Sequence, residues 1–191
     1  MAIKTDGTVK CWVANSNGQL GNGTTNNSRT PVSVSGISTA TQISAGAGHT
    51  CALISGGTVK CWGANSNGQL GLGVGDTTDR SNPVQVNGIS NATEVSAGDS
   101  HTCALLTDGT IKCWGSNWRG QLGDSTTNWS STPVSVSGIS TATQISASGD
   151  SNSCARLSDG TVKCWGGNFS GQLGDGWLAY RSTPVSVIGI P

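Results

Sequence analysis

Apolar residues in this chain alternate with serine, threonine and lysine over short stretches, and no segment keeps a helical period. Val32 and Val34 alternate with Ser33 and Ser35, the two-residue period of a half-buried strand. Gln42-Ile43-Ser44-Ala45 reads as a second strand, His49-Thr50-Cys51-Ala52-Leu53 as a third, and Thr58 to Trp62 as a fourth. A tight turn joins the last two. In later copies it is Asp108-Gly109 and Asp159-Gly160, a strong hairpin signal.

The set recurs. Thr8-Val9-Lys10-Cys11-Trp12 returns in the segments ending at Trp62, Trp114 and Trp165, with cysteine steps of 50, 52 and 51 residues. Gly-Gln-Leu-Gly starts at Gly18, Gly68, Gly120 and Gly171, and Pro-Val-x-Val at Pro31, Pro83, Pro133 and Pro184. Four antiparallel strands per period describe a β-propeller blade, and a fixed period implies stacked units. The expected fold is therefore an all-β β-propeller of four ~51-residue repeats in one domain, residues 1–191. The copies run approximately 1–40, 41–92, 93–142 and 143–191. The first is short. Cys51 precedes Cys61 by ten residues, and ten before Cys11 stands Met1. The strand equivalent to Gln42-Ile43-Ser44 is missing from the cycle. The expectation is an incomplete ring, either part of a longer array or completed head-to-tail by further copies.

His101-Thr102-Cys103-Ala104-Leu105, Asp108-Gly109, Trp114-Gly115-x-Asn117 and Gly120-Gln121-Leu122-Gly123 resemble the regulator of chromosome condensation repeat. The resemblance covers essentially the whole chain, and its paired cysteines are similar to those of bacterial secreted members. It implies a propeller, seven-bladed in the family. It does not imply one activity, because members include a nucleotide exchange factor, a plant ultraviolet receptor and a bacterial β-lactamase inhibitor. The receptor's Gly-Trp-Arg-His-Thr setting is absent from this sequence.

Composition narrows the classes. Charged residues are 10% of the chain, and ten basic residues balance ten acidic ones. A phosphate-neutralising surface needs a basic surplus, so nucleic acid and acidic membranes are not expected partners. No stretch of about 20 apolar residues is present, so membrane insertion is not expected.

Six of the seven cysteines pair within hairpins: Cys51 with Cys61, Cys103 with Cys113, and Cys154 with Cys164. Opposite positions on neighbouring strands lie within bonding reach. Disulfides there imply an oxidising compartment, hence an extracellular or cell-surface location. Buried reduced cysteine is one alternative. Zinc held by His49-x-Cys51 and His101-x-Cys103 is another, although no Cys-x-x-Cys occurs and Asn152 replaces the histidine in the last copy. Cys11 lacks a local partner and is a free or intermolecular thiol.

No catalytic motif is present, and no cofactor or metal is expected. His49 and His101 recur at one repeat position, which suits a hydrogen-bonded loop cap better than catalysis. Trp12, Trp62, Trp114 and Trp165 keep the period and are expected to pack between blades. Trp118, Trp129, Phe169, Trp177, Tyr180 and Arg181 break it. Trp118 and Phe169 stand in the Asn-x-x-Gly turn, and the others in the loop before the proline, which holds eleven residues in the second copy and nine in the others. Loops on a rigid scaffold carry binding, and Trp, Tyr and Arg dominate hot spots. These six residues form the candidate binding face, for a protein partner or for other copies of the chain. Sequons occur at Asn22, Asn26, Asn91, Asn128 and Asn168. The expected function is a non-enzymatic module for recognition or assembly. The alternative is a structural subunit that self-assembles through its open ends.

Overall fold

The computed structural model describes residues 1–149 and 151–190. Fifteen strands form four antiparallel sheets in chain order. The first has three strands: β1 (Ala2–Ile3), β2 (Val9–Val13) and β3 (Ser28–Ser33). The second holds β4 (Ala40–Ala45), β5 (His49–Ile54), β6 (Thr58–Gly63) and β7 (Arg80–Gln85). The third holds β8 (Ala92–Ala97), β9 (His101–Leu106), β10 (Ile111–Gly115) and β11 (Ser130–Ser135). The fourth holds β12 (Ala142–Ala147), β13 (Asn152–Leu157), β14 (Val162–Gly166) and β15 (Arg181–Ser186). Among the described residues no helix is long and apolar enough to cross a membrane.

The Pro-Val strand starts earlier than its alternation suggests. It runs from Ser28 to Ser33, so Val34 lies past its end, buried, with its N–H donated to the Val9 carbonyl at 3.0 Å. The β9–β10 hairpin closes through a three-residue loop. Gly109 sits at φ +76°, its N–H reaches the Leu106 carbonyl, and the Asp108 carboxylate takes the Thr110 N–H and hydroxyl. That left-handed position is why Asp-Gly recurs there.

Register places the cysteines directly opposite one another. Three disulfides join them, with Cα atoms 4.1, 4.1 and 4.0 Å apart. The reduced and zinc alternatives fall for these six sulfurs, which are bonded to each other. In the chain-entropy view each ten-residue loop contributes about 2–3 kcal/mol. Cys11 is free and buried in the first sheet. Burial pushes its thiol up to about 11.

One pattern repeats at each sheet boundary. The Gln19 carbonyl accepts the Trp62 indole N–H at 2.9 Å and the Thr50 hydroxyl at 3.0 Å. Gln69 does the same for Trp114 and Thr102, and Gln121 for Trp165 and Ser153. Each indole lies against the last glycine of Gly-Gln-Leu-Gly, at Gly21, Gly71 and Gly123, where a Cβ would come within 3 Å of the ring. Trp62, Trp114 and Trp165 are fully buried. Trp12 departs from the expected packing and is 38% exposed, because no sheet precedes its own among the described residues.

The innermost strands β4, β8 and β12 adjoin one another, and side chains satisfy their edges. Gln42 Oε1 takes the Val95 N–H at 2.8 Å, and Ser44 Oγ takes that of Ala97 at 3.0 Å. One repeat on, Glu94 and Ser96 do the same for Ile145 and Ala147. Unpaired edge amides are thus covered by the neighbouring sheet.

Trp114→Phe keeps most of the buried ring but removes the donor to Gln69. It should cost about 1–2 kcal/mol, read from the urea midpoint, whereas Trp12→Phe should change little. Thiol titration should find no reactive cysteine in the native chain and a single one after unfolding without reductant. More than one would contradict the three bridges.

Candidate functional site

His49 and His101 are not loop caps. They open β5 and β9 and lie fully buried between sheets. His49 Nε2 is 2.9 Å from the Thr102 hydroxyl, and His101 Nε2 is 2.9 Å from that of Ser153. Each hydroxyl already donates to a glutamine carbonyl, so it must accept from the imidazole. This fixes the proton on Nε2 and leaves Nδ1 a bare acceptor without a partner on both rings. Burial, with the neighbouring His101, holds His49 down to about 3, and burial holds His101 down to about 4. Both are neutral struts, unsuited to general-base work at neutral pH.

The long loops after β2, β6, β10 and β14 emerge on the side where His49 pairs with Gly63. A buried asparagine organises each: Asn15, Asn65, Asn117 and Asn168. Asn117 Nδ2 bonds Asp124 Oδ1 at 3.1 Å and the carbonyls of Thr126 and Asn128 at 3.2 and 3.0 Å. Its Oδ1 takes the Leu122 N–H at 2.9 Å. Asn168 repeats this with Asp175 Oδ1, the carbonyls of Trp177 and Ala179, and Leu173. The sequon at Asn168 is therefore closed to modification: its amide is buried and fully engaged.

The period-breaking aromatics sit on these anchored turns. Trp118 and Phe169 follow Asn117 and Asn168 directly. Trp129 and Tyr180 follow residues whose carbonyls the asparagines hold, and the Trp177 carbonyl is held itself. Trp118 and Trp177 are 68% exposed and Phe169 61%, while Trp129 and Tyr180 are also exposed. Arg181 differs from the other candidates. It is half-buried and bonded to Asp175 at 2.7 Å, so it braces the loop. Against desolvation, which raises it, the Trp177 N–H, Arg181 and the Asn168 amide hold Asp175 below the usual carboxylate range.

Sequence reasoning passed over Arg119 and Leu178. The Arg119 guanidinium lies 4.5 Å from the Phe169 ring centroid, across the boundary between the third and fourth sheets. Its signal was available, since Asn17, Asn67 and Ser170 occupy the equivalent positions. Leu178, next to Trp177 in the chain, is 65% exposed.

Fold and loops together define a β-propeller array that holds aromatic turns on one side of a rigid frame. The chain belongs to the regulator of chromosome condensation (RCC1) repeat family, whose model matches residues 6–53, 56–105 and 108–155. A second model of the same repeat matches 40–69, 92–121 and 142–172. Among solved structures, yeast RCC1 (Prp20) bound to Kap60 superposes with a TM-score of 0.82 at 20% identity, over 95% of this chain and 44% of that one. Human WBSCR16 gives 0.82 at 22% identity, over 96% and 48%. Prp20p of Saccharomyces cerevisiae, described with its binding to Gsp1p and histones, gives 0.79 at 20%, over 94% and 46%. This chain thus spans about half the length of the structures it matches.

The histidines make stability depend on pH. Their folded values lie below 6.5, so the unfolded chain binds the protons first. Stability is complete above that value and falls as pH drops towards 4, by up to about 1.4 kcal/mol per pH unit for each ring. Thermal midpoints between pH 7.5 and 4.5 (about three units) should decline. His49→Asn with His101→Asn, the residue already at position 152, should flatten that decline. An unchanged slope would exclude the histidines as its source.

Proposed function

We propose that this chain is a non-enzymatic recognition module that binds a protein partner through the aromatic turns of its third and fourth sheets. One contrast carries the reading. Trp62, Trp114 and Trp165, which keep the repeat, are fully buried at the sheet boundaries, whereas Trp118 and Trp177, which break it, are 68% exposed on anchored loops. Rigid aromatic side chains give large contact area at small ordering cost. Yeast Prp20, similar in fold alone, is itself found with protein partners. The three hairpin disulfides support an extracellular or cell-surface setting. The balanced net charge favours protein over nucleic acid.

A second reading concerns the end sheets. Trp12 is partly exposed, the buried Asn152 Oδ1 has no partner, and a Cβ at Gly174 would meet Val187 but no indole. Trp12 and Gly174 are the indole and the glycine that an internal boundary brings together. A further sheet can fill either, from continuing polypeptide or from a second copy.

Trp118→Ala and Trp177→Ala should leave the thermal midpoint nearly unchanged. They should weaken binding of peptides selected on the immobilised chain from a random heptapeptide phage library by about tenfold or more. Selected peptides indifferent to both substitutions would reject this face. Light scattering addresses the second reading: concentration-dependent association that Trp12→Ala reduces supports copy-to-copy docking, and a monomer at all concentrations rejects it.

A further inference from the structure

We propose that Arg119 is the specificity-determining residue of this face, and that its partner is a peptide segment carrying a carboxylate beside apolar side chains. This rests on the recognition reading above. Arg119 breaks the repeat, and its guanidinium stacks on Phe169 at 4.5 Å. Both sides of the stack are fixed. The Arg119 N–H bonds Gln121 Oε1 at 3.0 Å, in the turn that Asn117 anchors. Phe169 follows the equally anchored Asn168. A ring face orders a guanidinium without using its N–H donors, and among the described residues the Arg119 guanidinium makes no hydrogen bond, which leaves its fork free for a carboxylate.

Charge on the surrounding loops points the same way. Arg80 and Arg181 are occupied by Asp76 and Asp175 at 2.7 Å each. Among the described residues Arg119 forms no ion pair. The nearby carboxylates are committed too: Asp124 to Asn117 and Thr126, Asp175 to Arg181 and Asn168. On the loops of the third and fourth sheets Arg119 is the one arginine without an ion pair among the described residues, next to exposed Trp118 and Phe169, and Trp177 and Leu178 are exposed on the same set of loops. A basic segment is repelled there, and a neutral one leaves the fork unused. An acidic residue flanked by apolar ones fills both features.

The test uses the same heptapeptide library on the 191-residue chain, followed by fluorescence anisotropy with synthetic copies of selected peptides. Enrichment of Asp or Glu next to apolar residues is expected. Arg119→Gln should weaken binding about tenfold, Arg119→Lys less, and rising salt should weaken the native protein more than Arg119→Gln. Replacing the peptide's Glu by Gln should cost the native protein a similar factor and cost Arg119→Gln almost nothing. Neutral or basic peptides would overturn the proposal. So would binding that survives Arg119→Gln yet is lost in Trp118→Ala, a result that leaves the recognition reading intact. Peptides indifferent to Trp118, Trp177 and Arg119 alike would overturn both. Binding of neutral oligosaccharides on a glycan array, lost in Trp118→Ala, would replace the peptide as ligand.

Discussion

The Gln69 carbonyl takes an indole N–H from Trp114 and a hydroxyl proton from Thr102, both at 2.9 Å and both from the next sheet. Gln19 and Gln121 act alike at their own boundaries. One repeat cannot bury its apolar faces alone, and stacking is what closes its core. The glutamine carbonyl sets the spacing of that stack. It fixes where the tryptophan ring lies, and the ring in turn needs a glycine beneath it. The same hydroxyl accepts the histidine of the preceding sheet, so one small network joins backbone, indole, hydroxyl and imidazole. Its members lie at low dielectric, where a satisfied network gains rigidity and a missing member is costly.

Glycine at the end of the inner hairpin strand shows how tightly this frame is built. Gly63 and Gly115 sit at φ +101° and +103°, and a Cβ there would meet the carbonyls of Gly48 and Ser100 at 2.5 and 2.6 Å. The equivalent residue of the first sheet is Val13, at φ +96° and exposed. The positive φ persists there without a glycine, which is a strained setting for a β-branched residue.

Periodicity made the scaffold legible. Strand count, hairpin register, disulfide pairing and the burial of Trp62, Trp114 and Trp165 all follow from residues that recur at one spacing. The role of His49 and His101 did not follow. Their partners, Thr102 and Ser153, stand about one repeat away in sequence, and a pairing between copies leaves no local pattern. Trp12 shows the same limit: it shares its motif with three buried tryptophans, and only the neighbouring sheet decides its exposure. Glu94 shows a milder one. It stands where Gln42 stands and accepts the Ile145 N–H as Gln42 accepts that of Val95, while burial pushes its carboxyl above the usual range.

Two arginines on the same loop face draw the line between frame and display. Arg181 and Arg119 both depart from a strict repeat, and both neighbour exposed aromatics. Arg181 meets a carboxylate supplied by its own loop, and Asp175 in turn braces Asn168. Its charge is used inside the molecule. Arg119 meets an aromatic face from the next sheet, which orders the side chain without neutralising it. Cation–π contact satisfies position and leaves the hydrogen-bonding edge unspent. Residue type and repeat position could not separate the two. The partner each guanidinium finds does so: one arginine completes the scaffold, and the other keeps an ordered charge for something outside it.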